Sequence, residues 1–443
     1  MKKITTAVLC AAILLSMAGV PYSAESIGTK PSSSIVVLPA KEKEIKPLVR
    51  VTQPNSSATG EKEDQDNFLE ANQSAAAFAK SIQQFGAKTS AMLLNNAGTN
   101  QTYSPISFAY ALGLLGSGAQ GQTAREIAKA LESSNMTVLK NRLRNFYNSN
   151  YSQEENDVLK IANSLWLQEG FPIKETFAQN AAKDFYASSY SVDFSKQSTA
   201  DAIAKWISEQ SGNTIQPSIS VNPDQILSII NTLYFEGAWE DTFDASNNTE
   251  EPFTLEDGST VDATYMNQTF ELSTYYDTDQ YTFFSVSFLD GQKMNFVLPK
   301  EGKKLSSLLD QETLSKILSA QPEEAEKTAD VHLKLPKFSF DSEFDLSNTL
   351  RDLGLGDLLD GNANLSGITD KKVAVSNVKQ ESHVEVDENG CKAAAYTKID
   401  LICTSILGPV EEYNFSLDRP FLFAITSKDD VPLFVGTVYN PLA

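Results

Sequence analysis

Cysteine and histidine are scarce in this chain, whose 443 residues include three cysteines and two histidines. Cys10 lies close to the N-terminus, which leaves Cys391 and Cys403 for the rest of the chain. This number and spacing predict neither a disulfide framework nor a metal site. We therefore expect a fold stabilised by burial of apolar side chains, with no metal and no cofactor.

The shortage of histidine also limits the enzymatic chemistry that the chain could carry. A Ser-His-Asp or Cys-His site would need His332 or His383, and each lies in an alternating apolar and polar stretch that is typical of a strand. His383 and Cys391 are close along the chain, but this spacing alone does not bring their side chains together. The HExxH and GxSxG motifs are absent. We predict that the protein is not an enzyme.

Positive charge is in the minority, because 36 Lys and Arg residues stand against 57 Asp and Glu residues and give a formal net charge of -21. Nucleic-acid phosphates need a basic surface, and an anionic membrane attracts clusters of Lys and Arg. The sequence has no dense cluster of this kind. It predicts no nucleic-acid partner, and the excess of acidic residues favours solubility.

The N-terminus carries a short apolar run. Residues 5–20 are mostly apolar, follow two lysines, and precede the small residues Ser23 and Ala24. This order is typical of a secretory signal peptide, and the run is short for a membrane span. We predict a signal peptide over residues 1–24, a secreted extracellular protein, and no membrane insertion of the mature chain.

The composition changes twice after this point. Residues 25–67 are rich in Ser, Pro, Lys and Glu and contain no aromatic residue, which is typical of a flexible spacer. From Phe68 onward the composition is that of a globular protein, with no internal repeat and no second linker. We predict one large domain over residues 68–443, and we expect a monomer.

Helical periodicity comes early in this domain and strand patterns dominate later. Apolar faces with helical spacing occur at 74–88 and 108–132, the second with a Gly-rich break. Helices followed by strands, without a repeating strand-helix-strand pattern, indicate the α+β class. The predicted strands are 158–168, 225–239, 281–289, 294–300, 331–340 and 421–427.

Several segments together resemble the serpin family, and they follow one another in the family's order over residues 69–443. The segments are NQTYSPISFAYALGLLGSGAQGQTAREI (100–127), NTLYFEGAWEDTF (231–243), LPKFSF with DLSNTLRDLGL and ANLSGITD (335–370), FSLDRPFLFAI (415–425) and PLFVGTVYNP (432–441).

The resemblance implies a single α+β domain with a large central β-sheet, further smaller sheets, an N-terminal helical block and an exposed reactive loop. It also implies a protease inhibitor that acts as a suicide substrate, in which the cleaved loop inserts into the central sheet and traps the acyl-enzyme. The implied partner is an extracellular serine protease, with a cysteine protease as a second option. The alternative is a non-inhibitory serpin that acts as a binding or carrier protein.

The segment after Glu388 occupies the place of the family's hinge and reactive loop. Gly390 matches the hinge glycine, at which the backbone must pivot. Read with a period of two, one face of the segment is small at the start and apolar later, as a strand entering a packed sheet requires. The inward face comprises Cys391, Ala393, Ala395, Thr397, Ile399, Leu401 and Cys403, and the outward face begins with Lys392, Ala394 and Tyr396.

By the same resemblance, other residues support the opening of the sheet. Glu388 matches an acidic residue at the end of the preceding strand, and Lys337 is its expected ion-pair partner. Gln380 stands where the family usually has a histidine in a polar cluster beneath the sheet, and an amide can also donate and accept hydrogen bonds. The other implied members are Ser104, Ser107 and Asn231 in this cluster, together with the buried Trp239.

The scissile bond follows from counting along the loop. Counting forward from Gly390 predicts cleavage between Thr404 and Ser405, whereas counting back from residues 419–421 predicts a bond near Gly408. Ile406 and Leu407 stay open as alternatives. No Lys or Arg lies between Ile399 and Asp418, and a trypsin-like protease needs a basic residue before the cut. We therefore expect an elastase-, subtilisin- or chymotrypsin-like target.

Overall fold

A computed structural model describes the domain and two short stretches before it. The loop segment from Gly390 to Gly408 lies outside the described residues. The described residues are 7–19, 45, 47–49, 51, 76–154, 157–319, 325–388 and 410–443.

The helices of the described part lie mostly in the first half of the domain. Ser104 caps the second helix by accepting a hydrogen bond from the Ser107 amide, and Pro105 occupies its first turn. Every residue of this helix is buried, so it lies inside the protein. The helices are α1 Ala76–Leu93, α2 Pro105–Gly116, α3 Gly121–Ala130, α4 Met136–Asn150, α5 Glu175–Phe185, α6 Gln197–Gln210, α7 Gln311–Leu318, α8 Ser347–Asp352 and α9 Gly356–Asp360.

Five of the six predicted strands are confirmed to within two residues at each end, whereas the predicted strand 331–340 is divided at Lys337 into two strands that belong to different sheets. The strands are β1 Ala7–Gly19, β2 Pro47–Val49, β3 Gln101–Tyr103, β4 Ser152–Glu154, β5 Asp157–Gln168, β6 Ala187–Val192, β7 Gln225–Gly237, β8 Thr249–Thr254, β9 Thr260–Asp277, β10 Tyr281–Ser287, β11 Lys293–Pro299, β12 Glu326–Pro336, β13 Phe338–Asp345, β14 Val373–Val386, β15 Glu412–Ser416, β16 Phe421–Thr426 and β17 Pro432–Val438.

Two sheets contain all of these strands. The first sheet has the order β13-β14-β1-β7-β5-β6-β2, and β4 pairs with β5 beside this path. The second sheet has the order β15-β12-β9-β10-β11-β16-β17-β3, and β8 pairs with β9. Phe338 of β13 contacts Phe421 and Phe423 of β16, so the two sheets share one core. This is the α+β architecture that the sequence predicts.

The core of the first sheet lies on one side, against helix α2, which contacts β7 and β1. On the opposite side, Ile203 and Ile207 of α6 form a smaller apolar cluster with Trp166 and Ile230. The first sheet is therefore covered on both faces over part of its area. In the described residues, no helix is both long enough and apolar enough to span a membrane.

The two stretches before the domain both pair with the first sheet. Residues 47–49, within the predicted spacer, form β2 on the edge strand β6, and Ile45 packs against the cluster beneath α6. This part of the predicted spacer lies on the domain because β6 offers an unpaired edge and a nearby apolar surface. Residues 7–19, within the predicted signal peptide, form β1 at the centre of the sheet. The predicted signal peptide concerns processing of the chain and stays a prediction.

Candidate functional site

The end of strand β14 is held in place immediately before the candidate loop. Trp239 is fully buried and stacks on Phe288 with 4.5 Å between the ring centroids. Its Nε1 donates a hydrogen bond of 3.0 Å to the carbonyl oxygen of Asp387. A buried indole N–H needs an acceptor, so this contact also fixes the backbone at that position. Trp239 therefore anchors the backbone at Asp387, just after the end of β14.

The next residue, Glu388, is held by an ion pair at the same end of β14. Its Oε2 lies 2.7 Å from Nζ of Lys337, as the resemblance implies, and its side chain is only 7% exposed. Asn248 Nδ2 donates a hydrogen bond to the other carboxylate oxygen. Burial raises the pKa of Glu388, but the hydrogen bonds from Lys337 and Asn248 outweigh it and hold the pKa below its ordinary value.

A buried polar cluster lies beneath the centre of the first sheet. Gln380 on β14 uses both ends of its amide on the backbone of Ser104: Oε1 accepts from the amide nitrogen at 3.0 Å, and Nε2 donates to the carbonyl oxygen at 3.1 Å. Gln380 and Ser104 are fully buried. The amide at this position therefore satisfies the backbone at the start of α2.

The same cluster extends to the other strand beside β1. Ser107 Oγ donates a hydrogen bond to Oδ1 of Asn231, and Asn231 Nδ2 donates to Oδ1 of Asn163 at 2.8 Å. Asn163 Nδ2 in turn donates to the carbonyl oxygen of Phe185 at 2.8 Å. The structure thus brings Ser104, Ser107, Asn231 and Gln380 to one place.

Asn163 is a member of this chain of hydrogen bonds that the sequence reasoning missed. It lies in the middle of β5, between the buried residues Ala162 and Ser164. The available signal was a large polar residue inside a strand rich in apolar residues, because a buried amide needs several partners. The sequence does not say which partners, since Asn231 lies on another strand.

Strand β1 separates the two halves of the polar cluster. In the sheet register Ile13 lies opposite Asn231 on β7 and opposite Gln380 on β14. Ile13 is fully buried, and the strand runs antiparallel to both neighbours. We refer to the position between β14 and β7, which β1 fills, as the central slot. The first sheet therefore accepts a complete strand next to β14.

The remaining predicted site residues lie outside the described residues. Glu388 is the last described residue before the loop, and Val410 is the first one after it. The hinge and loop predictions for Gly390, Cys391, Ala393, Ala394, Ala395 and Thr397, and the scissile-bond predictions for Thr404, Ser405, Ile406, Leu407 and Gly408, therefore stay predictions.

The two histidines lie on different sheets, as residues of β12 and β14. Nδ1 of His383 lies 2.7 Å from Oδ1 of Asp341, and Nδ1 of His332 lies 2.9 Å from Oγ1 of Thr269. Both predicted strand positions are confirmed. Within the described ranges, no cluster of three or more His, Cys, Asp or Glu side chains could hold a metal ion.

The stretch GSGAQG at 116–121 has the letters of a dinucleotide-binding fingerprint, but it joins helix α2 to helix α3 instead of a strand to a helix. A Cβ atom on Gly118 would lie 2.2 Å from a side-chain atom of Ile368, and one on Gly116 would lie 2.7 Å from Met136. These glycines therefore allow close packing, and Gly121 supplies a turn with a φ of +58°.

Comparison with known proteins matches residues 80–441 to the family model described as serpin (serine protease inhibitor). The chain is 32% identical to human neuroserpin over 371 residues, which cover 77% of this chain and 86% of neuroserpin. It is 30% identical to Serpin-Z1C of Triticum aestivum, over 78% of this chain and 91% of that protein. The sequence relationship therefore spans the whole domain.

Solved structures agree with this relationship. The native stressed conformation of the Arabidopsis serpin AtSerpin1 superposes with a TM-score of 0.72 and 26% identity, covering 83% of this chain and 99% of that one. Thyroxine-binding globulin complexed with thyroxine has the same fold, with a TM-score of 0.67 and 23% identity, over 83% of this chain and 99% of that one. The match to the family model, the relatives and the fold show that this chain belongs to the serpin family, whose members are in general protease inhibitors and not catalysts.

Proposed function

We propose that this protein is a secreted inhibitor that traps serine proteases as a suicide substrate. One observation carries the proposal: the first sheet holds a complete strand in the central slot, directly beside β14, and the candidate loop follows β14 in the chain. A cleaved loop folding back along β14 would run antiparallel to it, as the strand in the slot does.

The anchors at the end of β14 support this sequence of events. Trp239 and Lys337 hold Asp387 and Glu388, so the backbone pivots after a fixed point. A protease attacks the exposed loop and forms an acyl-enzyme. Insertion of the small inward face that begins at Cys391 then adds backbone hydrogen bonds and carries the attached protease away from its entry position. The trapped complex persists because insertion of the loop lowers the free energy of the protein. Before cleavage, a kinetic barrier keeps the protein in its native form.

The target class follows from the loop sequence. Because no basic residue lies between Ile399 and Asp418, the pocket that receives the residue before the cut must accept a small polar or apolar side chain. We propose an elastase-, subtilisin- or chymotrypsin-like serine protease, with cleavage between Thr404 and Ser405. The predicted signal peptide places the encounter outside the cell.

The test is to mix the chain beginning at Glu25 with a subtilisin-type and an elastase-type protease and to separate the products on a denaturing gel. We expect a covalent adduct that survives denaturation, and a released C-terminal peptide whose mass identifies the scissile bond. Cleavage within residues 399–410 that leaves the protease fully active would contradict the proposal.

That contradicting outcome would favour a non-inhibitory binding or carrier protein. Thyroxine-binding globulin, whose solved structure holds thyroxine, has the same fold, so the fold by itself is compatible with either role. Cys391 favours this second candidate, because the family usually has Thr or Ser at the corresponding hinge position. The choice between the two roles therefore depends on whether the cleaved loop inserts faster than the acyl-enzyme is hydrolysed.

A further inference from the structure

The strand in the central slot comes from the N-terminus of the same chain. Residues 8–19 pair with 373–385 of β14, and residues 7–18 pair with 225–237 of β7, each with one register shift. The backbone groups on both sides of the slot are therefore occupied along almost the whole length of β14. A second strand cannot enter the sheet at this position while β1 is present.

The side chains of β1 fit the slot on both faces. Ala11, Ile13, Leu15 and Met17 point into the main core and are fully buried. The alternate residues point toward helix α6, where Leu14 is only partly buried beside a cavity of about 250 Å³. Lys379 and Glu381 line the same cavity. The strand thus has one strictly apolar face and one face that tolerates polar neighbours.

The candidate loop and β1 can be compared as alternative occupants of the central slot. Strand β1 has 13 residues, the same number as the stretch from Cys391 to Cys403. The inward face of the loop begins with small residues, whereas Ile13, Leu15 and Met17 of β1 are large. The loop also carries charged residues on its other face, and β1 carries none. By apolar burial, β1 is the better occupant of the slot.

We propose that residues 7–19 act as an internal blocker of the central slot, so that a chain retaining them is cut by a protease without trapping it. This inference rests on the proposed function. The tether gives the segment a high effective concentration at the slot. Loss of the N-terminal segment, as expected from cleavage after Ala24, vacates the slot for the loop. As long as residues 7–19 stay in the central slot, the chain is inactive as an inhibitor.

The test compares two substitutions in the full chain. Leu15→Lys places a charge on the inward face between Val378 and Ile229, where a buried, unpaired charge is strongly disfavoured. Leu14→Glu introduces a charge one residue away, on the partly exposed face and directly opposite Lys379, and serves as the matched control. If Leu15→Lys fails to fold, the chain beginning at Glu25 replaces it, because family relatives match the domain after that point over most of their length.

The first readout is amide hydrogen exchange, which does not depend on any protease. In the wild-type chain and in Leu14→Glu, amides of residues 9–17 should exchange about a hundredfold more slowly than in a free peptide, and Leu15→Lys should lose this protection. A labelled peptide with the sequence of residues 391–403 should bind Leu15→Lys and not the wild-type chain. The inference would be overturned if the amides of residues 9–17 in the wild-type chain exchanged as fast as in a free peptide. It would also be overturned if the wild-type chain and Leu15→Lys bound the labelled peptide equally well.

The second readout is the yield of the covalent adduct with the protease. We expect Leu15→Lys to form about tenfold more adduct than the wild-type chain or Leu14→Glu, because β1 no longer competes with the loop for the central slot. An equal, measurable yield of adduct from all three chains would contradict the proposal that residues 7–19 block the central slot. If no chain forms an adduct, but the peptide still distinguishes Leu15→Lys from wild type, the proposed inhibition fails and the blocked slot stands.

Discussion

The two sheets differ in what lies beneath their central strands. Under the second sheet, Phe296 packs against Phe421, and strands β16 and β17 are buried at every residue. Under the first sheet, the central slot is flanked by the buried amides of Asn231 and Gln380, which bond to the start of helix α2. The buried amide of Asn295 bonds only to neighbouring strands of the second sheet, so we expect a strand to enter or leave the first sheet and not the second.

The largest expected effect comes from the loop that is to enter the first sheet. Thr397→Arg would place a charge on the inward face, and burial of an unpaired charge would lower the adduct yield by about tenfold or more. Tyr396→Arg is the control, because Tyr396 lies on the outward face of the predicted strand. Adduct and cleaved product are measured on a denaturing gel with the chain beginning at Glu25, which is also used for the adduct yields below. Equal yields from both variants would show that this half of the loop does not insert.

The two sheets can be compared directly by substituting one buried asparagine in each, Asn231 in the first sheet and Asn295 in the second. Asn231→Ala leaves the hydroxyl of Ser107 and the amide of Asn163 without their buried partner, so the free energy of unfolding should fall by about 2–3 kcal/mol. Asn295→Ala removes the matching contacts to Ser285 and Thr426 in the second sheet. Denaturant unfolding should show a loss in both variants, but only Asn231→Ala should change the adduct yield. A change in both would remove the distinction between the sheets.

The anchor of β14 should have a smaller effect. Lys337→Met leaves the carboxylate of Glu388 buried with one partner fewer, which should cost about 1–3 kcal/mol of unfolding free energy at neutral pH. The control Lys379→Met breaks an ion pair with Glu343 in which both side chains are largely exposed, so it should cost less than about 1 kcal/mol. Equal losses in chemical denaturation would mean that Glu388 is not specially dependent on its lysine.

The ion pair of Lys337 with Glu388 should make the unfolding free energy fall as the pH is lowered into the acid range. The pKa of Glu388 is lowered in the folded protein, so the pair contributes its full stability above the unfolded carboxyl pKa of about 4.3 and loses it as the pH falls through the folded pKa. The unfolding free energies of wild type and Lys337→Met should therefore converge below about pH 4. A difference that persists at lower pH would point to lost packing instead of lost charge.

The smallest effect is expected for Gln380→His. A neutral imidazole has one donor and one acceptor nitrogen that point in different directions, so it can keep only one of the two hydrogen bonds to the Ser104 backbone. At pH 7.5 the unfolding free energy should therefore fall by about 1 kcal/mol. Burial lowers the pKa of a histidine, and protonation below about pH 6 should then destabilise the variant relative to wild type. Thermal unfolding at the two pH values measures this, and parallel curves would show that the new imidazole reaches solvent.

Much of the fold was predictable, because the signals are local. The strand-type composition of 158–168 and 225–239 predicted β5 and β7, and the Gly-rich break in 108–132 marks the junction of α2 and α3. The ion pair between Lys337 and Glu388 followed from the resemblance. The resemblance also implied Asn231, but Asn163 was missed, because its partner lies on a neighbouring strand and period-two patterns do not specify neighbours.

The sequence by itself determined the α+β class, the family and the ion pair of Lys337 with Glu388, since periodicity and family motifs are properties of short segments. The contacts of Trp239 and Asn248 with the end of β14 came from the structure. Only the tertiary structure decided which strands are neighbours. An apolar run of residues 7–19 suits a signal peptide and a central strand equally well, because both demand apolar side chains. Its position beside β14 depends on pairing between residues more than 350 positions apart. Such long-range register is set by the shape and hydrogen-bonding groups of the slot, which exist only once the sheet has formed.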